Sequence, residues 1–294
     1  MNTTLVVYEE TDRLSRLCKL IKEVLGPSVY ADPRNFNGSF DGHDAVVIAF
    51  PLENGRLPAA IAAFIENHHT LLETKRIALV CMSDNRASSA RVLKSAARKL
   101  QNSAVHTVRL PVYERPPVKT SAENKPVFSE TSDKLVHLRR TLTAPTDMPK
   151  ELLWEEIERI LRAHNTCALC TGHGMMGRVT PIEYLYKDGA LYFLSEGGEK
   201  FAHLYANPTV YISIFREYGD FDSLEGLQLE GNAEMIETFC DEYAVLAEQR
   251  GLSVEKLKEL PVELNLFKVL PVRVEVLKSE FRNAGYSAKQ VYIK

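Results

Sequence analysis

The sequence predicts two domains of different class: an α/β domain on a doubly wound parallel sheet, then a small, mainly antiparallel β-barrel with helices. Three observations predict this. The chain has 294 residues, a length suited to two domains. In its first half, short apolar runs alternate with amphipathic helical stretches. In its second half, short strands are punctuated by glycine turns.

The elements follow in order. Thr4–Tyr8 (TLVVY) reads as a short buried strand. Asp12–Leu25 places Leu14, Leu17, Cys18, Ile21 and Leu25 on one helical face, and Gly26-Pro27 stops that helix. Ala45–Phe50 (AVVIAF) is continuously apolar, as parallel strands covered on both faces are. A helix over about Leu57–Asn67 follows, then a second buried strand, Lys75–Met82. Ser88–Gln101 reads as a helix and Ala104–Leu110 as a further strand. This β-α-β-α-β rhythm predicts a parallel sheet with right-handed crossovers. Beyond it the prolines at 111, 116, 117 and 126 mark an irregular connection, and Ser132–Leu142 reads as the last helix of the domain. The first domain is therefore assigned to residues 1–142, a linker (TAPTDMP) to 143–149, and the second domain to 150–294.

In the second domain, Pro149–Ala163 is an amphipathic helix carrying Leu152, Leu153, Ile157, Ile160 and Leu161. Strands are expected near 166–171, 177–186, 190–195, 209–216 and 226–236. Lys187-Asp188-Gly189 is a hairpin turn signal. Helices over 238–250 and 253–260 precede a long strand, Phe267–Leu277. Strands spaced this way suggest a small closed barrel with helical insertions.

Composition narrows the function. Hydrophobic residues make up 45% and charged residues 26% of the chain, ordinary values for a globular protein. The net charge of −3 argues against a general nucleic-acid binder. No apolar run approaches the ~20 residues of a membrane span, and the N-terminus lacks the pattern of a signal peptide. Five cysteines, an odd and sparse set, suggest free thiols and a cytoplasmic protein. Cys167 and Cys170 are three apart on a predicted strand and point to opposite faces, which opposes shared metal ligation. No metal site is predicted.

The site residues lie in the second domain. Ser195 ends a strand, Gly197-Gly198 permit close backbone approach, and Lys200 falls near a helix start. A phosphate dianion wants a charge-assisted donor, and a lysine there adds its charge to the helix dipole. Taken alone, Lys200 reads as a solvated surface lysine, and Ser195 equally as a helix cap; the flanking hairpin shifts Lys200 toward the phosphate role. Arg178 opens a strand, with Val179, Thr180 and Pro181 after it. His173 in the Gly172–Gly177 turn and His203 on the Lys200 helix are the histidines nearest this segment. Trp154 fits a helix–barrel contact. Nothing stands out as a general acid or base, so catalytic residues remain unassigned.

Two family resemblances follow from these residues. The strand, Pro51 and glycine pattern (PLENG) followed by a helix and a second apolar strand is similar to flavodoxins and to menaquinone-type protoporphyrinogen oxidases. Flavodoxins hold the FMN phosphate in a Ser/Thr- and Gly-rich loop after the first strand. Here that loop is Glu9-Glu10-Thr11-Asp12, acidic and without glycine. It reads as the capped first turn of a helix, so a degenerate flavodoxin-like domain that does not bind FMN at this loop is expected.

The second domain resembles the pyridoxamine 5′-phosphate oxidase-like FMN-binding split barrel. The resemblance is carried by Gly177-Arg178-Val179-Thr180-Pro181-Ile182, by Asp188 through Ser195, by Lys200 with Leu204 and Asn207-Pro208, and by Leu229-Glu230-Gly231-Asn232-Ala233. It implies FMN held by Arg178, Val179, Thr180, Pro181, Leu194, Ser195 and Lys200. It also implies a homodimer through the barrel, with the flavin ring at the interface, and an oxidoreductase of an unidentified small molecule. The family's oxidases carry a serine-arginine-lysine run at the helix start; here it is Gly198-Glu199-Lys200. Their arginine-rich substrate pocket is not reproduced by Phe281 through Tyr286, so the chain looks closer to the smaller relatives grouped with nitroimidazole-resistance proteins. A haem-binding or haem-degrading split barrel using His173 or His203, and a non-enzymatic flavin sensor or carrier, are the alternative readings.

Overall fold

Continuous apolar runs become central strands, because a strand with helices on both faces has no solvent side. The computed structural model describes residues 3–8, 14–100, 105–112, 125–143 and 146–294. The chain divides into two units, Asn2–Ala144 and Pro145–Lys294.

The first unit holds strands β1 (Thr3–Tyr8), β2 (Ser28–Ala31), β3 (His43–Pro51), β4 (Arg76–Met82) and β5 (Val105–Leu110). Its helices are α1 (Ser15–Val24), α2 (Ala59–Leu72), α3 (Arg86–Lys99) and α4 (Lys125–Leu142). All strand ladders are parallel, in the order β2-β1-β3-β4-β5, the flavodoxin-like order. The period of two splits the central strands between two cores. Val46, Ile48 and Phe50 join Ile77, Leu79 and Cys81 under α2 and α3. Ala45, Val47 and Ala49 join Ala78, Val80 and Met82 against α1 and α4. The predicted face of α1 is buried throughout, from Leu14 to Leu25.

Two differences from the sequence reading concern weak signals. Strand β2 has four residues and sits at the sheet edge, too short for periodicity to mark it. Helix α4 begins at Lys125 rather than Ser132. The loop Glu9-Glu10-Thr11-Asp12 lies outside the described residues, as does most of the proline-rich connection.

The second unit opens with α5 (Lys150–Ala163). The strands are β6 (Thr166–His173), β7 (Met176–Glu183), β8 (Leu185–Lys187), β9 (Ala190–Ser195), β10 (Thr209–Phe215), β11 (Glu225–Ile236), β12 (Asn265–Lys278) and β13 (Lys289–Ile293). Helix α6 (Glu199–Ala206) follows β9, and α7 (Asp241–Gln249) and α8 (Val254–Lys258) follow β11. The sheet runs β7-β6-β10-β11-β12-β9-β8, with β13 also on β12, and every ladder is antiparallel.

The predicted strand 177–186 is broken at Tyr184, and the break explains the curl of the sheet. Its first part, β7, pairs with β6, and its second part, β8, pairs with β9. One short segment thus serves both edges of the sheet and leaves a split rather than a closed ladder. Tyr184 is buried there, with its hydroxyl donating to Leu161 O at 2.9 Å. At the β8–β9 turn Asp188 and Gly189 both take positive φ, 50° and 79°, as the predicted two-residue turn requires. The barrel core is sealed by α5 through Leu153, Ile157, Ile160 and Leu161. Leu152, expected on that face, is exposed. Trp154 does pack on the barrel core and against Tyr292, 4.7 Å between ring centroids.

All five cysteines are free thiols. No described helix is long and apolar enough to cross a membrane.

Candidate functional site

The site is built where β9 hands the chain to α6. Between Ser195 and Glu199 the backbone must turn sharply, and Gly197 and Gly198 do so with φ of 136° and 106°. Side chains rarely adopt such angles. Gly198 is the N-cap of α6, and no side chain caps the helix. The Phe201 N–H donates to Gly198 O at 3.0 Å, and the N–H groups before it, with no side-chain cap, keep their partial positive charge.

Lys200 lies in that first turn and is only 8% exposed. Its Nζ donates to Gly197 O and sits 5.2 Å from the Phe201 ring centroid. Among the described residues no carboxylate reaches it within ion-pair distance. Burial pushes the Lys200 ammonium below the usual lysine range, and the nearby Arg178 guanidinium pushes it further, with Glu196 opposing. Arg178 projects from β7 and donates from Nη1 to Glu199 Oε2 at 2.9 Å. This pair is half-exposed, so it contributes little to stability.

Strand register explains how α6 is held over this point. Arg178 faces Thr171 across the β6–β7 ladder. Thr171 is buried, and its Oγ1 lies 3.1 Å from Nδ1 of His203, also buried, one turn beyond Lys200. Asn207 Nδ2 donates to Gly172 O at 3.1 Å and docks the far end of the helix.

The remaining predicted residues separate onto different surfaces. Residues directly opposite on antiparallel strands share a face. Thr180 pairs with buried Leu169 and so faces the barrel interior. Its Oγ1 is buried without a hydrogen-bond partner. Val179 and Pro181 point the other way. Val179, Cys170 and Tyr211 form one row across β7, β6 and β10. Val179 and Tyr211 are exposed, as is Phe215, four residues along β10 on the same face. Leu194 pairs with Leu266 and packs with Ile236 and Tyr243, apart from the barrel core. Ser195 is one residue on, hence on the opposite face from Leu194. The structure thus brings Arg178 and Lys200 together, leaves Ser195 at the entry to their turn, and sets Val179, Pro181 and Leu194 elsewhere.

His173 is exposed in the β6–β7 hairpin. Cys167 faces inward, its thiol pushed up to about 12 by burial, while Cys170 lies on the outer face. Among the described residues no group of three or more His, Cys, Asp or Glu could hold a metal ion. Thr171 and the Arg178–Glu199 pair were not singled out from the sequence. The signal for Thr171 was the hairpin itself, since the Gly172–Gly177 turn fixes Thr171 opposite Arg178.

Residues 153–278 match the family model described as pyridoxamine 5′-phosphate oxidase. Among solved structures, an FAD-binding protein from Mesorhizobium loti is 23% identical over 41% of this chain and 89% of its own, with a TM-score of 0.34. The haem storage protein HutZ from Vibrio cholerae is 21% identical over 42% of this chain and 91% of its own, TM-score 0.34. ChuZ from Campylobacter jejuni is 16% identical over 55% of this chain and 67% of its own, TM-score 0.37. No curated protein matches the chain. Residues 153–278 thus match the pyridoxamine 5′-phosphate oxidase model on a split-barrel fold, and a flavodoxin-like domain precedes them.

Proposed function

We propose that the split barrel binds FMN through its phosphate at the start of α6, and that the protein is an FMN-dependent oxidoreductase acting on a small molecule as a homodimer. One observation carries the reading. Lys200 is a buried cation beside a second cation, at an uncapped helix start, with no carboxylate within ion-pair distance among the described residues and only Glu196 partly offsetting it from farther away. Leaving a charge in that position is costly unless an anion completes the site. A phosphate supplies that anion, and helix starts are suited to receive one.

The residues fit such a group. Lys200 Nζ and the first-turn N–H groups of α6 would hold the phosphate, and Ser195 has a hydroxyl at the entry of the turn. Thr180 offers a buried hydroxyl lacking a partner, free to bond a ribityl or ring atom. The outward row of Val179 and Tyr211, with Phe215 further along β10 on the same face, is apolar surface that a second barrel would cover. When bound, FMN supplies hydride and electron transfer. The chain's own residues bind, orient and exclude water.

The test is a titration of purified protein with FMN, riboflavin and haem, followed by absorbance and flavin fluorescence. Saturable FMN binding with weaker riboflavin binding supports the phosphate site. A protein that takes up haem and no flavin overturns it. Oxidation of NADH or NADPH by the loaded protein separates an oxidoreductase from a flavin carrier.

A further inference from the structure

A second site of different chemistry lies on the first unit. Between Asp84 and Glu114 the sequence has no acidic residue. Arg86, Lys94 and Arg98 line one groove on the exposed face of α3, joined by Arg109 of β5, in a volume of about 720 Å³. Leu93 and Ala97 form its apolar floor. Arg86, Lys94 and Arg98 make no ion pair or side-chain hydrogen bond among the described residues. Arg109 is positioned by donating to Ser83 O at 2.9 Å. The acid felt at this end is Glu130, engaged by Lys134 at 2.5 Å.

The cations are strung out rather than gathered. Arg86 to Arg98 spans about 18 Å at the helical rise, and four residues advance about 6 Å. A compact phosphate would meet one of them at a time. An extended strand places alternate side chains about 6.6 Å apart on one face, close to the Lys94–Arg98 step and to half the Arg86–Lys94 step. The opposite wall supplies a backbone for such a strand. Among the described residues β5 pairs with β4 alone, and its alternate residues Val105, Thr107 and Arg109 face the groove. Among the described residues no aromatic side chain lines the groove to stack a base.

We infer that this groove receives an extended acidic peptide, which adds as a strand on the edge of β5 that no described strand pairs, ahead of Arg109 O where Lys134 Nζ donates at 3.3 Å, and lays alternate carboxylates against Arg86, Lys94 and Arg98. Edge addition supplies main-chain hydrogen bonds, and side-chain contacts on one face select the sequence. The partner is thus a protein segment alternating Asp or Glu with small or β-branched residues. This inference does not depend on the flavin site.

The full chain is titrated with a short fluorescein-labelled peptide alternating Glu with Thr, read by anisotropy. Saturable binding that weakens with salt is expected, and combined Arg86→Gln, Lys94→Gln and Arg98→Gln should weaken it about tenfold. These side chains are exposed, so the variant folds, and an unchanged melting temperature verifies it. Two further peptides carry N-methyl groups on odd or on even residues. One should bind like the parent and the other should lose binding, because a strand offers one edge to β5. No saturable binding, equal binding by both N-methyl peptides, or tighter binding of a single-stranded oligonucleotide with the same triple-variant sensitivity would each overturn the inference.

Discussion

Replacing Lys200 by methionine separates the ligand's needs from the chain's own. Lys200 is a buried residue and its ammonium, in a part-buried bond, has a backbone oxygen as its hydrogen-bond partner, so solvent screens it only in part. A charge-assisted bond to phosphate in such a setting is worth about 1.5–3 kcal/mol, or roughly 10- to 150-fold in Kd. Lys200→Met should weaken FMN by that factor and leave riboflavin, which has no phosphate, nearly unchanged. Fluorescence titration of both flavins gives the two ratios. Stability should respond in the opposite sense. The folded chain holds the Lys200 proton less tightly than the unfolded chain does, since burial and Arg178 lower its pKa. Wild-type stability therefore rises as pH climbs through the folded pKa toward the usual lysine range, and the methionine variant lacks that alkaline gain. At neutral pH the ligand-free variant should melt no lower than the wild type, while its melting-temperature increase on adding FMN shrinks. Equal loss of FMN and riboflavin would refute the phosphate role. A ligand-free variant that is strongly destabilised would refute the argument that Lys200 is kept at a cost.

Three other outcomes follow from the barrel. A Cβ at Gly231 would lie 2.6 Å from Val269 Cγ1 and 2.7 Å from Leu270 O, at the register shift opposite Pro271; Gly231→Ala should cost about 3 kcal/mol in urea denaturation. Gln290 is buried, with Nε2 donating to Asp147 and Ser287 and Oε1 accepting from Thr146 and Met148; Gln290→Ala should cost about 2 kcal/mol and speed amide exchange in β13 first. Burial pushes the Glu275 carboxyl up, but Lys289 and Arg273 outweigh it and hold it below the usual range. Its stabilisation is therefore present above the ordinary glutamate pKa and lost as pH falls through the folded pKa, so Glu275→Gln should flatten the acid side of the melting profile.

Much of the fold was legible because its strongest elements are continuous or strictly periodic. Ala45–Phe50 can only be a strand covered on both faces, and Lys187-Asp188-Gly189 can only turn a hairpin tightly. What escaped lacked such a signal. Four residues at Ser28–Ala31 give no period. The break at Tyr184 depends on which edges β7 and β8 find, a long-range matter absent from local sequence. Of the site, Lys200 and its glycine turn were legible as a pattern, yet the pattern fits a solvated lysine too. Burial decides between them, and burial depends on α6 docking through His203 to Thr171 and through Asn207 to Gly172. Val179, Thr180 and Pro181 read as one run along a ligand; the pleat sends them to two faces.

Glu199 sharpens this point. The resembled oxidases carry a basic residue before the lysine, where this chain carries a carboxylate that occupies Arg178 at 2.9 Å. Two effects then act against a phosphate at the helix start: Glu199 repels it, and Arg178 is neutralised. Among the described residues Lys200 is left as the cation at this helix start with no carboxylate in ion-pair reach, which is why its removal should matter so much. Glu199→Gln reverses both effects without changing shape. The pair is half-exposed, so the two contributions together are worth about 0.3–1 kcal/mol and fall with salt. FMN should bind about two- to fivefold more tightly to Glu199→Gln, riboflavin should be unaffected, and the gain should vanish at high ionic strength. If FMN instead binds more weakly, Arg178 is being held in its useful position by Glu199, and the phosphate lies nearer to Arg178 than to Lys200.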